Sequence, residues 1–74
     1  MDPMNVGTSI RELRERAGLT QTALADILGK AQSSVACWER GRSKPRLDDL
    51  PAVAAALGCG IEDIVKGGAQ NVAG

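Results

Sequence analysis

The sequence predicts an all-α fold, a bundle of five short helices, and three observations predict it. Apolar residues recur three and four positions apart in successive runs, which places them along one face of a helix. Four of those runs stop at a glycine, Gly18, Gly29, Gly41 and Gly58, the residue that most cheaply takes the conformation in which helices often end. The stretch Gln21 to Trp38 reads as two short helices joined by a tight turn and meeting at a steep angle. With 74 residues there is room for one small domain and no second core.

Taken in order, residues 1–4 are expected to be disordered, and Met4 so close to Met1 fits an added or alternative start. Asn5 is the expected N-cap of the first helix, whose buried face carries Val6, Ile10, Leu13 and Ala17. Thr20 caps the second helix, and Leu24, Ala25 and Leu28 form its apolar face. Ala25 is small where two helix backbones cross. After Lys30 and Ala31 the third helix turns Val35 and Trp38 inward and ends near Arg40. Gly41 to Arg46 is a basic loop closed by Pro45. The fourth helix begins near Asp48 or Asp49, because Pro51 lacks an N–H and is tolerated only in a first turn. Both aspartates suit the positive end of that helix. Leu50, Val53, Ala54 and Leu57 form its stripe, and Ile61 to Lys66 makes a fifth helix that returns Ile64 and Val65 to the core. The domain is therefore expected to span residues 5–66, followed by a flexible tail over 67–74. Trp38 is the one aromatic residue, and its spacing from Val35 makes it a packing residue rather than a base-stacking one.

Formal charge sums to zero, but its distribution is uneven. Between Lys30 and Arg46 stand Lys30, Arg40, Arg42, Lys44 and Arg46 against Glu39 alone, a local charge of +4. From Leu47 onward Lys66 faces Asp48, Asp49, Glu62 and Asp63, a charge of −3. The first 29 residues, with three arginines and four carboxylates, carry −1. A basic middle with acidic flanks fits a face turned toward phosphate, and on charge alone fits an ordinary solvated loop equally well. No apolar run is long enough to span a bilayer and no signal peptide is evident, so a cytoplasmic chain without membrane partners is expected. Cys37 and Cys59 lack metal-ligand spacing and the chain has no His to supplement them, which argues against zinc; a reducing compartment argues against a disulfide. No cofactor is expected. Without His, an acid–base carboxylate pair or a phosphate-binding glycine loop, an enzyme is not expected either.

One ordered series of residues goes further: Leu19-Thr20-Gln21, Leu24-Ala25, Gly29, Val35, Trp38-Glu39-Arg40-Gly41, Pro45, Leu57-Gly58 and Ile61-Glu62-Asp63-Ile64. In this series the chain resembles the Xre family of phage-repressor-like helix-turn-helix proteins, which includes the lambdoid repressors and Cro proteins. The resemblance covers about Asn5 to Lys66. It implies a compact five-helix lambda-repressor-like domain that places its third helix in the major groove of an operator half-site, as a prokaryotic or phage transcriptional regulator and more specifically a repressor. The expected partner is double-stranded DNA with a palindromic operator, bound by a homodimer.

Gln32, at the exposed start of the third helix, is the first choice for base contact, since Gln can pair with adenine N6 and N7. Ser33 is less selective, and Ala36 and Cys37 are small enough to lie against a thymine methyl. Phosphate contacts are expected from Gln21, Lys30, Ser34, Arg40, Arg42, Lys44 and Arg46. Taken alone, Gln32, Ser33 and Ser34 are each better read as a solvated helix start; within the motif, DNA contact is favoured for Gln32 and evenly balanced for Ser33 and Cys37. The resemblance further implies that Gln21 touches the DNA backbone and braces Gln32, that Arg14 and Glu39 form a structural ion pair, and that Leu47, Ile61 and Ile64 lie at a dimer surface. A plain surface position is the competing reading for Glu39. The chain departs from the family at Ala31 and Gly60, where hydroxyl caps are common, and at Cys37, where a longer polar residue is common. The competing function is a protein-interaction module, such as an adaptor or the antitoxin of a toxin pair. The basic segment and the polar third helix argue against it, since a partner-binding face should expose more apolar residues.

Overall fold

Thr20 adopts extended backbone, and its hydroxyl accepts a 3.0 Å hydrogen bond from the Ala23 N–H, satisfying one of the orphan donors at a helix start. From there the chain forms the pair of helices at the centre of the molecule. The computed structural model describes the backbone of residues 6–69 and the side chains of residues 6–65. The Asn5 cap and the expected disorder of residues 1–4 lie outside the described residues, as do residues 70–74.

Among the described residues, five helices make up the fold: α1 Val6–Arg16, α2 Gln21–Leu28, α3 Gln32–Arg40, α4 Leu50–Leu57 and α5 Ile61–Ala69. A 3-10 turn at Leu47–Asp49 runs directly into α4, which places Pro51 in its first turn, where no N–H is required. No strand occurs among the described residues. Packing joins α1 to α3 and α5, α2 to α3 and α4, and α4 to α5. Every helix contributes to one core: Ile10 from α1, Leu24 and Ala25 from α2, Val35 and Trp38 from α3, Leu50, Val53, Ala54 and Leu57 from α4, and Ile64 from α5. Burial of each large aliphatic member stabilises the fold by roughly 1.5–3 kcal/mol.

Several expectations need correction. Ala17 lies just past α1 and is exposed, because the chain turns there through Gly18 at φ 75°. Val65 is 43% exposed and does not return to the core; a single turn of α5 presents one face to α1 and α4, and Ile64 occupies it. Ile64 is fully buried, so it cannot lie at a dimer surface. The helical backbone of α5 also continues to Ala69, three residues past Lys66. Gly60 does not leave α5 uncapped. Its N–H donates to Asp63 Oδ2 at 3.0 Å, the carboxylate half of a capping box supplied from inside the helix. Asp49 does the same for Arg46, accepting its N–H at 3.2 Å.

Gly7 carries no periodic or turn signal in the sequence, yet it sets how closely α1 approaches α3. A Cβ built there would lie 2.0 Å from the Trp38 carbonyl oxygen and 3.2 Å from Glu39 Cα. Only a hydrogen fits. This contact holds the end of α3 against the start of α1.

Candidate nucleic-acid interface

The helix-turn-helix presents its candidate edge through two consecutive helix starts. α2 ends at Gly29, whose N–H and that of Lys30 satisfy the last carbonyls of the helix, and a short turn delivers the chain to Ala31. Ala31 has the extended backbone of an N-cap but no side chain to cap with, so α3 opens on Gln32 without a hydroxyl partner. Val35 and Trp38 anchor α3 from below, which leaves Gln32 and Ser33 exposed.

A continuous polar chain runs behind this edge. Arg14 of α1 binds Glu39 of α3 through two parallel hydrogen bonds, Nε to Oε2 at 2.7 Å and Nη2 to Oε1 at 3.1 Å. Their side chains are only 11% and 5% exposed, so this fork is shielded from water. The remaining Arg14 nitrogen, Nη1, donates to the Leu19 carbonyl at 2.7 Å and fixes the connection between α1 and α2. Gln21, the first residue of α2, donates from Nε2 to Glu39 Oε1 at 3.0 Å. Its own carbonyl oxygen accepts from Gln32 Nε2 at 2.7 Å. Hydrogen bonding to Glu39 raises the Arg14 pKa despite its burial. Burial pushes Glu39 up, but the Arg14 guanidinium and the Gln21 amide outweigh it and hold the carboxyl below its ordinary value. Among the described residues, no buried side-chain polar atom lacks a hydrogen-bond partner.

The other candidate residues fall into distinct environments. Ser34, Ala36 and Cys37 are half-buried, which leaves only part of each side chain for a ligand. The Cys37 carbonyl accepts from Arg42 at 2.9 Å and so helps turn the chain out of α3. Arg40, Arg42, Lys44 and Arg46 are exposed, and among the described residues no carboxylate pairs with them. Lys30 is placed differently: its Nζ lies 3.3 Å from Asp49 Oδ1, tying the turn before α3 to the turn before α4. Leu47 is 82% exposed, and Ile61 is partly exposed beside the exposed Val65. Cys59 is half-buried, its thiol pushed up by burial and by the carboxylates of Asp63 and Glu62. Among the described residues, no group of three or more Cys, Asp or Glu side chains could hold a metal, and no helix is long and apolar enough to cross a membrane. Sequence reasoning missed the Gln21–Glu39 bond and the Leu19 carbonyl contact, because neither leaves a periodic or compositional trace.

Two helices at this spacing, the second with a polar, exposed start and a run of exposed cations from its last residue onward, define a helix-turn-helix domain of the lambdoid-repressor type. The chain belongs to the helix-turn-helix family, whose model matches residues 10–64. It is 30% identical over 67 residues to repressor protein C2 of Salmonella phage P22, covering 90% of this chain and 31% of that protein. It is 39% identical over 67 residues to the helix-turn-helix transcriptional regulator DdrOP3 of Deinococcus deserti, covering 86% of this chain and 50% of the regulator. The chain thus spans half or less of these two relatives. Among solved structures, the P22 c2 repressor in complex with a synthetic operator superposes with a TM-score of 0.77 at 31% identity, covering 84% of this chain and 94% of that one.

Proposed function

We propose that this chain binds double-stranded DNA in a sequence-specific manner as a transcriptional repressor, laying α3 in the major groove of an operator half-site. The observation that carries this reading is Gln32, exposed at the start of α3 and held by Gln21, where a recognition helix meets base edges. With one Nε2 hydrogen committed to Gln21, Gln32 keeps an N–H and a carbonyl oxygen for adenine, a contact that discriminates by about 1–3 kcal/mol. Ser33 and the exposed parts of Ala36 and Cys37 extend the readout. Gln21, Ser34, Arg40, Arg42, Lys44 and Arg46 contact phosphate and set the register. Lys30 contributes where it can leave Asp49. The similarity to an operator-bound repressor supports the same reading.

A single domain buries limited area on DNA, so two copies bind a palindromic site with half-sites about 34–36 Å apart. Leu47, Ile61 and Val65 are the exposed apolar residues for that pairing, Val65 taking the place expected of Ile64. The protein works in the cytoplasm on the chromosome or a phage genome, and no residue is assigned a catalytic role.

The test is selection of duplexes from a random library, followed by titration at several salt concentrations with the parent chain and Gln32→Ala. A palindromic site, affinity falling steeply with salt and a preference flattened at one base pair by Gln32→Ala are expected. Weak binding indifferent to sequence and to Gln32 would refute the proposal.

A further inference from the structure

We propose that Glu39 is a positioning residue for base specificity: acting through Gln21, it fixes which end of the Gln32 amide faces the DNA, and so selects adenine over guanine at the base pair Gln32 reads. This rests on the DNA-binding reading above. A carboxylate in the ion pair with Arg14 has only acceptors to offer. Gln21 must therefore turn its Nε2 toward Glu39 Oε1, 3.0 Å away, since a flipped amide would set two acceptor oxygens against each other. That choice leaves the Gln21 carbonyl oxygen facing Gln32, which must in turn present Nε2 to it, at 2.7 Å. What remains on the outer side of Gln32 is one N–H and one carbonyl oxygen. Adenine offers the complementary pair, an N7 acceptor and an N6 donor, whereas guanine offers two acceptors. A charge buried behind the interface thus dictates the hydrogen-bond polarity of a side chain two residues further along the network.

Replacing the carboxylate by an amide removes the dictate. In Glu39→Gln, the new amide can keep its oxygen on Arg14 Nε, in the place of Oε2, and turn its NH2 toward Gln21, giving up the Arg14 Nη2 bond that Oε1 accepts. Gln21 then flips, Gln32 flips after it, and two N–H groups face outward, a match for guanine O6 and N7. The experiment compares duplexes differing only by A·T or G·C at the position where Gln32→Ala flattens the preference. Affinity ratios are measured for the parent chain, Glu39→Gln and Gln21→Met. The parent should prefer A·T by about tenfold or more. Both variants should bring that ratio to within about threefold of unity, Glu39→Gln shifting toward G·C, while preferences at other positions hold. A general loss of stability lowers both affinities alike and leaves the ratio intact, and Gln21→Met keeps the Arg14–Glu39 pair whole. An unchanged ratio in both variants, where Gln32→Ala does flatten that position, overturns the relay alone. If Gln32→Ala alters no position, the base-contact reading fails and the relay with it.

Discussion

Replacing Gly7 by Ala gives a test in which local and tertiary reasoning predict opposite signs. By helix propensity alone, Gly→Ala within α1 should stabilise the chain by up to about 1 kcal/mol. In the folded molecule the new methyl would sit 2.0 Å from the Trp38 carbonyl oxygen, 3.0 Å from its carbon and 3.2 Å from Glu39 Cα. All three are backbone atoms, so no rotamer change relieves the contact. α1 must retreat from α3 by roughly 1 Å, which is overpacking and costs about 1–3 kcal/mol or more. The net expectation is a loss of about 1–2 kcal/mol, or roughly 5–15 °C in Tm for a domain of this size. Urea unfolding followed by the fluorescence of Trp38, the one aromatic residue, measures it directly. A midpoint lowered at unchanged m-value is expected. A midpoint equal to or above that of the parent chain would show that α1 does not depend on this close approach.

Glu39→Ala should cost about 3 kcal/mol, more than the double change Arg14→Met with Glu39→Leu, because the single change strands a shielded guanidinium; thermal unfolding of both variants decides it. The lowered Glu39 pKa makes the unfolded chain bind more protons than the folded one between the folded and unfolded values. Its contribution is therefore full above about pH 4.3, the usual carboxylate value, and is lost as pH falls through the lower folded value. Stability measured against pH should show an acid loss that shrinks in Glu39→Gln. Thr20→Ala should cost about 1 kcal/mol, and Ala31→Ser should gain about 0.5–1 kcal/mol at a cap position that already has extended backbone, both readable by urea unfolding.

Much of this protein is determined by local physics that its sequence displays directly. Helical spacing located Ile10, Leu24, Val35, Leu50, Val53 and Leu57 in the core, because a period near 3.6 leaves one face to bury whatever the neighbours are. Helix ends were legible for the same reason, since Thr20, Gly29 and Gly41 act on backbone groups only a few residues away. Ala17 and Val65 mark the limit of that reasoning: near a helix end the direction of the chain, not the period, decides exposure. Three features belong to the tertiary structure alone. Gly7 is required because two backbones meet there, and a glycine in a helix carries no sign of its distant neighbour. Lys30 is drawn to Asp49 because two turns nineteen residues apart come together. The polarity of Gln32 is set by a carboxylate reached through Gln21 and buried against Arg14, which only the packing of α1, α2 and α3 brings into one line of hydrogen bonds. Sequence periodicity reports which face is inside; the direction of a hydrogen bond depends on which partners the fold brings within 3 Å.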